Sequence, residues 1–195
     1  MALPARIRDS LALILLAAGC AGGPPAPDWQ AAAAQAMQAF QRLYFAGSTQ
    51  TAETQFKTAR TELASTGRAD LVARAELVRC AVRAASLEFD ECPGFESLRY
   101  GARPEETAYA DYLRGKGVHK ASDDPLSRLV AYAVALRNGS INPAGISAAV
   151  EVASAQGWRR PLLAWLGVQE KRALDAGDRE AAAAIRRRIE LISSG

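Results

Sequence analysis

Apolar residues in this chain recur at helical spacing, and most runs stop at a residue with a physical reason to stop them. Trp29, Ala33, Met37, Phe40 and Tyr44 follow one another at steps of three or four, which places them on one face of a helix. Gly47 closes that run, because glycine takes the left-handed conformation at a helix end without strain. A second stripe holds Ala52, Phe56, Ala59 and Leu63 and is closed by Gly67. A third runs through Leu71, Ala75, Val78, Val82, Ala85 and Phe89. Strand-type alternation is nearly absent.

The second half is punctuated more sharply. Asp124-Pro125 and Asn142-Pro143 each put a capping side chain before a proline at the first helical position. Gly139, Gly157 and Gly177 each follow a periodic run, and Asp178 is placed to cap the last helix. The predicted buried positions are Leu126, Leu129 and Ala133, then Ile146, Val150 and Ala153, then Leu162, Trp165 and Leu166, and finally Ile185, Ile189 and Ile192. The fold class expected is all-α, built from antiparallel helical hairpins. The centre, about residues 90–123, breaks the pattern with Cys92-Pro93-Gly94 and Gly115-Lys116-Gly117 around a short helix near Glu105 to Leu113. Tyr109, Tyr112 and Leu113 are expected to pack that helix onto the body. An irregular insertion of this kind is a natural place for recognition.

Composition agrees. Hydrophobic residues make up 49% and charged residues 23% of the chain, a profile of packed structure rather than disorder. Aromatics are only 7%, and the apolar share leans on alanine, the best helix former. The formal charge is +3, and loss of Arg6, Arg8 and Asp9 with a leader would leave +2. The basic residues are spread along the chain, and Arg186-Arg187-Arg188 reads as a solvated helix face. Nothing points to nucleic acid.

The first residues form a leader. Arg6 and Arg8 precede the apolar run Leu11-Ala12-Leu13-Ile14-Leu15-Leu16-Ala17-Ala18. Such a run is too short to span a bilayer, which takes about 20 residues in a helix, and matches a signal-peptide core. Its end, Leu16-Ala17-Ala18-Gly19-Cys20, resembles the bacterial lipobox, with Ala17 where leucine is commonest. The resemblance implies cleavage between Gly19 and Cys20 and diacylation of Cys20. Residues 1–19 would then be signal peptide, 20–27 a lipidated cysteine with a Gly/Pro-rich tether, and 28–195 the helical domain. The alternative is an ordinary secretory leader whose cysteine is incidental. Two or more acyl chains hold a protein stably on its membrane. Ala21, where an aspartate would signal retention in the inner membrane of enteric bacteria, points the resemblance to the outer membrane.

The closing glycines recur at 20 residues (Gly47 to Gly67), 18 (Gly139 to Gly157) and 20 (Gly157 to Gly177), about one helix plus one turn each. Gly47, Ala52, Phe56 and Ala59 resemble the turn glycine, small residue, aromatic and second small residue of a tetratricopeptide repeat, with a fainter echo at Gly177-Asp178, Ala182 and Ile189. Ala36 and Phe40 stand where the family has Trp and Gly, and generic helical hairpins are the competing description. The resemblance implies an array with a groove for a peptide or a partner's helix.

Cys80 and Cys92 can pair if the chain lies in an oxidising compartment. A helix from Cys80 to Phe89 rises about 13.5 Å and three residues return about 10 Å, so a sharp turn brings the two within the ~7 Å between Cα atoms that a disulfide requires. Two unpaired thiols are the alternative. A zinc site lacks ligands, since His119, the one histidine, lies in a Gly/Lys loop and reads as solvated. No phosphate loop, dinucleotide fingerprint or nucleophile elbow appears, and no cofactor is implied. Phe95-Glu96-Ser97 resembles the glutamate–serine pair of helical lytic transglycosylases, which would make Glu96 a general acid beside Phe95, Leu98 and Tyr100; the family's later glycine and tyrosine motifs are absent. The function expected is a lipid-anchored scaffold or adaptor on the periplasmic face of the outer membrane, bound to an envelope protein of an outer-membrane, pilus or secretion assembly. The alternatives are a Glu96-dependent peptidoglycan enzyme and a structural envelope protein with no client.

Overall fold

The structure is a computed structural model that describes residues 27–194. Among these residues every regular element is helical: α1 (Asp28–Ala46), α2 (Thr49–Ala64), α3 (Ala69–Ala85), α4 (Pro93–Glu96), a 3-10 turn (Arg99–Gly101), α5 (Pro104–Leu113), α6 (Pro125–Arg137), α7 (Pro143–Ala155), α8 (Arg159–Asp175) and α9 (Arg179–Ser194). No helix among them is long and apolar enough to cross a membrane.

The helix ends follow the capping signals. Asp124 accepts a hydrogen bond from the Ser127 amide at 3.0 Å, Asn142 from Gly145 at 2.8 Å and Asp178 from Ala181 at 2.9 Å. These side chains satisfy amide groups that the first helical turn leaves without partners. Gly47 closes α1 at φ +98°, and the Ser48 amide reaches back to the Leu43 carbonyl at 2.9 Å. The chain then turns at once into α2. Phe40 and Phe56 meet across this hairpin with ring centroids 5.4 Å apart. Phe56 is 4% exposed, and the flanking Ala52 and Ala59 are fully buried. The small residues let α1 approach the ring, as their spacing predicts.

α3 is the centre of the molecule. It packs against α1, α2, α4, α5 and α6, and its buried residues lie around most of its circumference. α6, α7, α8 and α9 then follow as successive neighbours. The array does not stay open. α8 returns to α1, where Phe45 and Trp158 lie 4.5 Å apart and the Arg160 guanidinium sits 4.1 Å from the Tyr44 ring centre. Trp165 is fully buried and donates its indole N–H to the Ala85 carbonyl at 3.2 Å, tying α8 to the end of α3.

Two expectations are corrected. The third stripe stops at Ala85, four residues short of Phe89. Leu87 takes φ +61° and leads the chain out of the helix, so Phe89 is 37% exposed, with Arg137 over its ring. The second is Phe95, which the sequence leaves in the irregular central segment as a residue with few packed neighbours. Cys92, Phe95, Ala110, Tyr112 and Leu113 are all buried in the main core, and Phe95 is 0% exposed. A phenylalanine in a four-residue helix carries no periodic signal, so the sequence read it as a loop residue.

Deleting a buried phenylalanine ring typically costs about 3–5 kcal/mol, out of roughly 5–15 kcal/mol for a whole domain. Phe56→Ala and Phe95→Ala should therefore lower the denaturant midpoint strongly and by similar amounts, and Phe89→Ala much less. A wild-type midpoint in Phe56→Ala would remove Phe56 from the core and the hairpin register with it.

Candidate binding cleft

α5 is positioned by charge. Arg103-Pro104-Glu105-Glu106 starts the helix with proline at its first position. The Glu106 carboxylate accepts from its own Arg103 amide at 3.0 Å. It also accepts from Arg74 of α3, through Nε at 3.0 Å and Nη2 at 2.8 Å. Glu106 is buried and Arg74 half-exposed, so the pair is anchored on its acidic side.

Between α3, α5 and α6 this arrangement leaves a cleft of about 430 Å³. Leu77, Val78 and Ala81 of α3 and Leu126 of α6 supply its apolar surface. Arg74, Glu105, Glu106 and Ser127 supply polar groups, and Tyr109 and His119 supply rings. The Tyr109 phenol is pushed well above the ordinary tyrosine range, chiefly by burial, with repulsion from Tyr112 and Asp124 adding to it. It stays a neutral hydroxyl, able to donate or accept. The His119 ring is edge-on to Tyr109 at 4.8 Å and lies 5.2 Å from Tyr112. His119 is exposed, as its loop position predicts, yet it leans on both tyrosines. Two clefts of similar volume, about 440 and 460 Å³, flank the α1–α8 contact. Their walls carry Gln38, Gln41, Arg42 and Gln156, or Ser48, Arg159 and Arg160, and offer less apolar surface to a ligand.

Glu96 is placed differently. Its carboxylate accepts from Arg99 through Nε and Nη2, both at 2.9 Å, and also contacts Arg114. Arg99 bonds Asp111 at 3.1 Å as well, so Glu96 belongs to an ion-pair network between α4 and α5. A general acid needs an apolar surround. Phe95 is turned into the core and Tyr100 is 84% exposed, so neither builds such a surround at Glu96.

The Sγ atoms of Cys80 and Cys92 lie at bonding distance, with Cα atoms 5.8 Å apart. The sharp turn that closure requires is present: the chain leaves α3 at Leu87, and Cys92 itself takes φ +50°. Asp90 braces it, accepting from the Cys92 amide at 2.9 Å and lying 3.1 Å from Arg83 Nε. Cys80, Asp90 and Cys92 also have the proximity of metal ligands. With the sulfurs bonded to each other, only the carboxylate is left to coordinate, and Arg83 holds it. Cys20 lies outside the described residues.

Comparisons with protein-family models, curated proteins and solved structures return no match. The cleft was only partly legible in the sequence. Tyr109 and Leu126 are among the predicted packing residues, but Leu77 carried no signal, and Val78 and Leu126 read simply as core. The short helix expected near Glu105 to Leu113 corresponds to α5, and Arg74, exposed among the buried residues of α3, was the overlooked pointer to its position.

With oxidant present, alkylation of the denatured, unreduced protein should label neither Cys80 nor Cys92. The bond closes a short loop and should stabilise the fold by about 3 kcal/mol in the chain-entropy model. Reduction, or Cys80→Ala with Cys92→Ala, should lower the denaturant midpoint accordingly. Alkylation of both cysteines in exported, unreduced protein would show that the bond does not form.

Proposed function

We propose that this chain is a lipid-anchored helical adaptor of the bacterial envelope, tethered to the periplasmic face of the outer membrane through Cys20 and binding an envelope protein partner. The observation that carries the binding role is the cleft between α3, α5 and α6. Its apolar floor and sparse polar rim suit one or two apolar side chains of a partner segment, with Tyr109, Ser127 and Arg74 available to that segment's backbone. The volume is too small for a folded element but sufficient for a side-chain anchor of the kind that dominates protein interfaces. The leader and lipobox-like end support the anchor and the compartment. The peptidoglycan-enzyme reading gains nothing from the geometry, because the arginine clamp on Glu96 gives that residue a structural occupation.

A photo-crosslinking residue in place of Val78 should capture one envelope protein in living cells. The same residue in place of Leu174, which is exposed on α8, should not. Ala81→Trp, which fills the cleft, should abolish the capture. Capture that ignores both position and filling would overturn the binding reading.

The anchor has its own test. Cys20→Ser should release the protein from membranes or leave its leader uncleaved. A variant that is processed, fractionates with membrane and resists salt extraction would mean that something other than lipid holds it.

A further inference from the structure

The turn that returns Cys92 to Cys80 also brings Asp90 to them. Both Sγ atoms and a carboxylate oxygen of Asp90 lie within 4.8 Å of one another. The two sulfurs are buried, and the Asp90 side chain is 31% exposed, so solvent reaches the group from the carboxylate side. The Asp90 oxygens have separate duties. Oδ1 lies 3.9 Å from Cys80 Sγ and accepts from the Cys92 amide at 2.9 Å. Oδ2 is the atom beside Arg83 Nε, at 3.1 Å. Arg83 therefore orients the carboxylate through one oxygen and leaves the other beside the cysteines.

We propose that the reduced form of this turn is a zinc site, with Cys80 and Cys92 as thiolates, Asp90 through Oδ1 and a water in the fourth place. The disulfide is the metal-free state of the same site. Zinc takes thiolates at about 2.3 Å and carboxylate oxygens at about 2.0–2.2 Å in a tetrahedral shell, which sets two sulfurs about 3.8 Å apart. Cα atoms 5.8 Å apart accommodate that spacing as well as the bond, because rotation about each Cα–Cβ axis moves the sulfur while the backbone stays. Charge agrees. Three anionic ligands around a divalent cation leave one negative charge, and the Arg83 guanidinium stands beside it. Two thiolates select zinc over calcium or magnesium, which take oxygen ligands. A dithiol reductant supplies the two electrons and two protons that convert the disulfide to two thiols, and itself becomes a disulfide. Zinc then displaces both thiol protons into water. Reoxidation removes two electrons from the thiolates, re-forms the S–S bond and releases the cation. Loading of the site follows the thiol poise of its surroundings and is independent of the cleft and of the membrane anchor.

The test uses the full chain carrying Cys20→Ser and made without lipid, so that Cys80 and Cys92 are its only thiols. Cobalt(II) is the spectroscopic probe and zinc the competitor. The reduced parent should bind one cobalt per chain with a thiolate-to-metal charge-transfer band, and zinc should displace it. Zinc should also raise the denaturant midpoint of the reduced parent, since a ligand of the folded state stabilises that state. The oxidised protein should show neither effect. Asp90→Asn keeps an oxygen for the Cys92 amide but loses the charge, and should bind cobalt more than about tenfold more weakly. Glu91→Gln, a carboxylate outside the group, should match the parent. No band in the reduced parent would overturn the site. Equal affinity in Asp90→Asn would reduce it to a bare dithiol and overturn it too. Cobalt binding with no rise in midpoint would place the ion on unfolded thiols, and an equal band in the oxidised protein would place it elsewhere; either result overturns the proposal.

Discussion

α3 buries Val72, Ala73 and Ala75 on the same helix as Leu77, Cys80, Ala81, Ala84 and Ala85, so it has no solvent face of ordinary width. A helix with buried positions around most of its circumference must be enclosed by neighbours. Five other helices contribute, and the alanines let them approach closely. The demand for enclosure explains why α4 and α5 fold inward although their segment looks irregular. It also explains why α6 crosses from the second half of the chain to lie on α3, and why α8 fastens Trp165 to the last carbonyl of that helix.

Enclosing α3 brings its charges with it. Glu76 is buried and held by Arg60 of α2 at 3.0 Å. Arg79 reaches Glu53 of α2 at 2.9 Å, Arg74 reaches Glu106 of α5, and Arg83 reaches Asp90 beyond the end of α3. Half-buried pairs of this kind contribute little net stability, because desolvation offsets much of their attraction. Their effect is on position. Each ties α3 to one particular neighbour at one particular height, which a surface of alanines alone would leave free to slide. Gly94 shows how tight this is: a Cβ at that position would meet the Glu76 carboxylate, so a side chain there would have to displace the buried charge that Arg60 holds.

Local structure was legible in the chain to the extent that local rules control it. Asp124-Pro125, Asn142-Pro143 and Asp178 mark helix starts because capping depends on residues within one turn. Phe56 was placed correctly because a ring between two alanines at helical spacing has one way to pack. Phe89 was misplaced for the complementary reason. Its spacing continues the α3 stripe, but the helix ends at Ala85 and Leu87 then takes a left-handed conformation that no glycine announced. Phe95 was underestimated because burial there comes from contact with α3, at a sequence separation that periodicity does not report. The cleft lay beyond the same horizon: its floor joins residues of α3 and α6 that are about fifty positions apart and read separately as ordinary core.

That floor stays uncovered by helix because of how α5 is attached. An apolar contact between α5 and α3 would be driven to close, since every square ångström removed from water is favourable and nothing fixes a distance. The Arg74–Glu106 pair does fix one: the guanidinium is as long as it is, and Glu106 is also committed to the Arg103 amide. α5 therefore rests on a charged spacer at its start and on Ala110, Tyr112 and Leu113 toward its end, and between them Leu77, Val78 and Ala81 of α3 line the cleft. A pair that adds little to stability thus maintains a void that hydrophobic packing alone would have erased.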